Sequence, residues 1–133
     1  MKKHPQIYQF DPVIYPYKLW VCVSSDYNKI LNDNFIDDSN EFFNIQNEYE
    51  ALTCSVQRKI APTYYGTIIF FSNKGYMNIS NIAHESTHAA KFLCNHIDME
   101  YSCDEAFEYL VGWIADCCYK VKTNKTDLSN AYK

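Results

Sequence analysis

With 133 residues and a formal charge of −4, the chain has room for one domain and no excess of the basic residues that nucleic-acid binding requires. Hydrophobic residues form 47% of it and aromatic residues 17%, which is enough to fill a core and excludes disorder of the whole chain. No run approaches the roughly 18 apolar residues of a membrane span, and no apolar signal core follows Met1. We therefore expect a single cytoplasmic domain over residues 1–133 that binds neither nucleic acid nor membrane.

The six cysteines could form three disulfides, but without an export signal we expect reduced thiols packed in the core. The chain is rich in Asn, Tyr, Ile and Lys and has only three Gly. This composition indicates an AT-rich genome, such as that of a virus or a mobile element.

The first half of the chain predicts strands around one short helix. Residues 1–16 form an N-terminal extension, and the β-branched and aromatic run Tyr17–Val23 predicts a strand. Ser24, Ser25 and Asp26 can cap a helix from about Tyr27 to Phe35. The segments Glu50–Lys59 and Tyr64–Phe71 predict two strands that pair as an antiparallel hairpin.

The second half predicts two helices. Asn78 or Ser80 can cap a helix that runs to about Asn95, and a second helix spans about Asp104–Lys120, followed by a flexible tail over residues 121–133. Together the elements predict an α+β fold, in which a short mixed or antiparallel sheet packs on these two helices.

His84-Glu85-Ser86-Thr87-His88 matches the pattern H-E-x-x-H on the first of these helices. A step of four residues returns almost to the same helical face, so both imidazoles can bind one zinc ion. Glu85 would lie beside the metal without binding it, within reach of a zinc-bound water whose proton it can accept. The alternative is a solvated helix whose two histidines face water.

Zinc in such a site needs a third protein ligand, for which Glu105 at the start of the next helix is the first candidate. The alternative for Glu105 is a capping box with Ser102, in which its carboxylate bonds the backbone N–H of Ser102. Glu108 is the reserve ligand, and Cys94 or His96 would need the first helix to end early.

One face of the second predicted helix carries Glu105, Tyr109, Gly112 and Asp116. A short loop would fold this helix back on the first and direct Glu105 at the metal, with Gly112 allowing close approach of the two helices.

On these residues the chain resembles a minimal gluzincin, a zinc metallopeptidase with H-E-x-x-H on one helix and a glutamate ligand on the next, over roughly residues 64–118. The resemblance implies a zincin-like domain with His84, His88 and Glu105 as ligands and Glu85 as the general base. It also implies that strand Tyr65–Phe71 is the edge that aligns an extended peptide. The metzincin pattern fits less well, because Lys91 and Cys94 occupy its glycine and third-histidine positions.

The function expected from the sequence is that of a zinc-dependent hydrolase that cleaves amide bonds in a peptide or protein substrate. Oxyanion stabilisation has only the tyrosines Tyr76, Tyr101 and Tyr109 as candidates. The alternative is a zincin-like protein without catalysis, with a binding or regulatory role, in which the metal is structural or absent. The oligomeric state does not follow from the sequence.

Overall fold

A five-stranded mixed sheet lies at the centre of the computed structural model, which describes residues 5–37, 42–100 and 104–125. Its strands lie in the order β1-β2-β5-β4-β3, and β2 is parallel to β5 while the other pairs are antiparallel. The strands are β1 (Ile7–Phe10), β2 (Lys18–Val23), β3 (Phe35–Ile36), β4 (Ala51–Arg58) and β5 (Tyr65–Phe71).

In the described part of the chain, three helices cover the two faces of this sheet: α1 (Tyr27–Asn34), α2 (Ile79–His96) and α3 (Asp104–Lys122). A 3-10 turn, Lys74–Tyr76, precedes α2. The predicted α+β class with a mixed sheet is confirmed.

The two inner strands β2 and β5 are buried on both faces, because their side chains alternate between two separate cores. One core joins the sheet to α2 and α3, and its sheet residues include Phe10, Leu19, Val21, Ile69 and Phe71. The other core joins the opposite face to α1 through Trp20, Leu31, Phe35, Ile68 and Phe70. The central strand β5 contributes to both, so six of its seven residues are buried.

Helices α2 and α3 pack against each other in opposite directions. Cys118, near the end of α3, lies beside Glu85 and Ser86 of α2. Trp113 and Ile114, one turn earlier on α3, line a small cavity with Ala89 and Leu93, which come later on α2. The antiparallel direction follows from these two contacts and determines which part of α3 lies beside the histidines.

The predicted hairpin of β4 and β5 is confirmed as antiparallel, with Thr53 opposite Ile69. The expected position of Tyr65–Phe71 at the edge of the sheet is wrong. β5 is flanked by β4 on one side and by the parallel strand β2 on the other. The parallel pairing joins strands far apart in sequence, so alternation within each segment gave no sign of it.

The ends of the chain also differ from the prediction. The segment expected to be an N-terminal extension contains β1, which pairs with β2 through residues 7–10. Residues 121 and 122, which were expected to begin a flexible tail, belong to α3 instead, and Val121 is buried. Residues 126–133 lie outside the described part of the chain.

Across the described residues, no helix is long and apolar enough to cross a membrane. Within the same ranges, Cys22, Cys54, Cys94, Cys117 and Cys118 all carry free thiols. Cys103 lies outside these ranges.

Candidate metal and hydrolase site

The histidine pair, His84 and His88, lies on the solvent-facing side of α2. The helix begins at a side-chain cap, where Asn78 Oδ1 accepts a hydrogen bond from the backbone N–H of Asn81 at 2.8 Å. The pair lies one helical turn apart, and their Nε2 atoms approach to 3.1 Å. The ring planes are nearly perpendicular, at 80°, with centroids 4.6 Å apart. The predicted convergence of the two imidazoles is therefore present.

Glu85 is buried, whereas its neighbour His84 is exposed to solvent. One residue turns a helix by about 100°, so Glu85 faces the sheet and is only 6% exposed. Its Oε1 accepts a hydrogen bond from Thr53 Oγ1 on β4 at 2.8 Å. Its Oε2 lies 3.8 Å from His84 Nε2. The carboxylate therefore lies between the edge of the sheet and the histidine pair.

The spacing of the histidine pair fits one metal ion. Two imidazole nitrogens on a tetrahedral zinc, at about 2.0–2.1 Å each, lie about 3.3 Å apart. The 3.1 Å separation is close to this value. The His84 side chain is 67% exposed, which leaves the outer side of the pair accessible to solvent.

Glu105 is not brought together with the histidine pair. It lies on the exposed side of α3, between three and four turns before Cys118, and therefore about 20 Å from the level of Ser86 along the helix. In the part of the chain that the structure describes, no three His, Cys, Asp or Glu side chains are grouped so as to hold a metal ion. The capping-box alternative falls partly outside the described residues, because Ser102 is not among them.

The face of α3 predicted to approach α2 instead faces solvent. Glu105, Gly112 and Asp116 are exposed, and Tyr109 is 76% exposed. The expected role of Gly112 in close helix packing is wrong, because a Cβ built there meets no atom within 4 Å. The opposite face packs instead, through Leu110, Ile114, Cys117, Cys118 and Val121.

The reserve ligands are also separated from the pair. α2 continues unbroken to His96, so Cys94 stays in the core. His96 makes tilted ring contacts with Tyr17 and Tyr65, at centroid distances of 4.9 and 5.1 Å. Glu108 is exposed on α3. Of the oxyanion candidates, Tyr76 lies in the 3-10 turn, Tyr109 faces solvent, and Tyr101 lies outside the described residues.

Two thiols near Glu85 are held in the neutral form. Burial raises the pKa of Cys54 to about 11, and the negative charge of Glu85 adds to this shift. Burial likewise raises the pKa of Cys118, with smaller contributions from Cys117 and Glu85. Cys118 lies in the core between the sheet and α2–α3, Cys54 packs against the core on the opposite face, and among the described residues neither is grouped with the histidine pair as a metal site.

Sequence reasoning missed Thr53 as a component of the site. Strand alternation places Thr53 and Ser55 on the same face of β4 as the residues that pack against α2. No local pattern, however, indicates which helix residue a strand residue meets.

Comparisons with protein-family profiles, with curated protein sequences and with solved structures find no match for this chain. Any inference about the class of protein therefore depends on the geometry of α2 and of the strand β4 beside it.

Proposed function

We propose that the chain is a zinc-dependent hydrolase of the zincin type that cleaves an amide bond in a peptide or protein substrate. The observation that carries this proposal is the convergence of His84 and His88 Nε2 to 3.1 Å beside the buried carboxylate of Glu85. In this proposal the histidine pair holds the metal through Nε2 and Glu85 does not bind it.

Each residue has a distinct role in the proposed reaction. A bound zinc ion would supply a Lewis acid and lower the pKa of a bound water towards about 7. Glu85 would accept the proton of that water at Oε2, the oxygen that faces the histidine pair, and then deliver it to the leaving amine. Its low exposure limits competition from bulk water for this carboxylate.

The proposal of a peptide substrate is supported by the free edge of β4, which is the side of Ala51–Val56 that faces away from β5. The backbone carbonyl of Glu50 accepts a hydrogen bond from Ser72, and the backbone N–H of Arg58 donates to Tyr64. Backbone groups alternate in direction along a strand, so those of Ala51, Thr53 and Ser55 point away from β5. Within the described residues, β3 pairs only with Gln57 and Arg58 and leaves this edge unpaired. An extended peptide added here as a further strand would lie beside Glu85, which already contacts Thr53.

A second candidate is a zincin-like binding or regulatory protein without catalysis. It is favoured by the finding that no group of three His, Cys, Asp or Glu side chains among the described residues is arranged to hold a metal ion. Catalytic zinc sites have three protein ligands, and two imidazoles alone would bind the metal weakly. In this candidate the free edge of β4 binds an extended segment without cleaving it.

Metal analysis tests the ligand assignment. We expect about one zinc per purified chain, lost in His84→Ala and in His88→Ala. Glu105→Gln is the matched control, because this exposed carboxylate is far from the pair and its variant should retain the parent's zinc content. Equal zinc in the parent and both histidine variants would contradict the proposal, and loss of zinc in Glu105→Gln would restore Glu105 as a ligand.

Hydrolysis of a broad peptide library at neutral pH tests catalysis. Glu85→Gln should keep zinc bound and lower the rate at least about a hundredfold, because a positioned general base is removed. Equal rates for parent and variant would exclude Glu85 as the base. A zinc-loaded parent that binds an extended peptide without cleaving it would favour the second candidate.

A further inference from the structure

The Glu85 carboxylate is hydrogen-bonded to β4 through one of its two oxygens. Thr53 Oγ1 lies 2.8 Å from Glu85 Oε1 and 3.4 Å from the main-chain oxygen of Glu85. A carboxylate buried to this degree needs a donor, because an unsatisfied buried charge is strongly unfavourable. The hydroxyl of Thr53 supplies it and leaves Oε2 directed to the side of His84.

The position of Thr53 restricts the geometry of this hydrogen bond. Its side chain is branched at Cβ, so χ1 is restricted in a strand and the hydroxyl has a defined direction. The strand is fixed by antiparallel pairing with β5, where Thr53 lies opposite Ile69. Glu85 is fixed in turn by the packing of α2 on the same face of the sheet.

We infer that Thr53 is a positioning residue that sets the orientation of the Glu85 carboxylate, an inference that rests on the proposed role of Glu85 as general base. Hydrogen bonding of Oε1 to the strand leaves Oε2 free for proton transfer beside the histidine pair. The main chain of Thr53 faces the free edge of β4, so one residue joins the peptide-binding edge to the base.

Removal of the hydroxyl should affect the catalytic step more than substrate binding. We expect Thr53→Val to lower kcat at least about tenfold with KM within about twofold, because the carboxylate loses its donor while the strand edge is kept. Thr53→Ser keeps the hydroxyl and should recover most of the rate. Thr67→Val is the matched control, because it makes the same substitution on β5, outside the proposed peptide-binding edge, where the hydroxyl bonds Tyr17 Oη at 2.7 Å and not Glu85.

A double-mutant cycle on the metal-free protein tests the contact without any enzymatic assay. The cycle combines Thr53→Val with Glu85→Met, which retains length and helix propensity but has no carboxylate acceptor. Urea unfolding of the four proteins should show a coupling of about tenfold in the unfolding equilibrium constant. Thr53→Ala replaces the valine variant in the cycle if that variant does not fold.

The two measurements separate this inference from the proposed function. Coupling in the cycle together with serine rescue of kcat supports the positioning role. No coupling, or an unchanged kcat in Thr53→Val, overturns it even if the protein is an active hydrolase. An inert parent that nevertheless shows the coupling overturns the hydrolase proposal alone and leaves the orientation of Glu85 by Thr53 supported.

Discussion

Two adjacent residues of α2, His84 and Glu85, need opposite degrees of solvent exposure at the candidate site. A metal ligand needs access to the ion, whereas a proton acceptor is better protected from bulk water. The turn of about 100° between His84 and Glu85 meets both, since it leaves the first side chain 67% exposed and the second 8% exposed. The five-residue motif therefore determined this contrast once α2 had formed on the sheet.

Val13 adopts a backbone conformation that β-branched residues rarely take. Its φ is 59°, in a tight turn where the N–H of Ile14 donates to the carbonyl of Pro12. Because its side chain is 85% exposed, little burial offsets the strain. We expect Val13→Gly to raise the free energy of unfolding by about 1 kcal/mol, since glycine has no Cβ and adopts a positive φ without this steric cost.

Urea unfolding measures this change. Ile14→Gly provides the control, because Ile14 is also exposed, at 78%, and has no positive φ. This variant should be less stable than the parent by up to about 1 kcal/mol, because glycine gains conformational freedom in the unfolded chain and no strain is relieved. A Val13→Gly variant no more stable than the parent would show that Val13 is not strained in solution.

At the scale of elements, the orientation of α3 depends on which of its faces is buried. Periodicity predicted its existence and start, but both of its faces carry apolar residues, including Tyr109 on the exposed side. Packing on α2 selects Leu110, Ile114 and Cys118, and this choice turns Glu105 to solvent. The gluzincin-like ligand geometry would require α3 both to rotate and to shift by about 20 Å along its axis, because Cys118 and not Glu105 lies beside Ser86.

Two glycines provide opposite tests of element packing. A Cβ at Gly66 would lie 2.3 Å from the carbonyl oxygen of Lys18 and 2.5 Å from the Trp20 ring, so β2 and β5 would have to separate. Gly112 has open space around it on the exposed face of α3. We expect Gly66→Ala to lower the free energy of unfolding by about 3 kcal/mol and Gly112→Ala to raise it by about 1 kcal/mol.

Chemical denaturation of the two variants measures both changes on one scale. Similar effects of the two substitutions would contradict the close approach of β2 and β5 at Gly66. A destabilising Gly112→Ala would indicate that this face of α3 is covered.

At the scale of the whole molecule, buried thiols on both faces of the sheet link stability to alkaline pH. Burial raises the pKa of Cys22 and Cys117 to about 12 and that of Cys54 to about 11, from 9.0. Above pH 9 the unfolded chain therefore releases thiol protons that the folded chain retains. The unfolded state binds fewer protons, so the free energy of unfolding is maintained below pH 9 and falls as pH rises towards the folded values.

Each such thiol should contribute a decrease of up to about 1.4 kcal/mol per pH unit above pH 9. Urea unfolding of the parent and of Cys22→Ala between pH 8 and 11 isolates one of them. The variant should lose stability less steeply with pH, whatever its stability at pH 8. Parallel curves would show that the Cys22 thiol ionises equally in both states.

By itself the sequence determined the α+β class, the β4–β5 hairpin, helices α1 and α2 to within a residue or two at each end, and the convergence of His84 with His88. These features depend on contacts within a strand, a turn or a helix, so a local pattern is sufficient to specify them. Only the tertiary structure decided that β5 is central, that the outer side of Ala51–Val56 in β4 is unpaired among the described residues, that Thr53 meets Glu85, and that Glu105 faces solvent. Each of these depends on which elements distant in sequence pack together and at which rotation, and that choice is made by the burial of both cores at once.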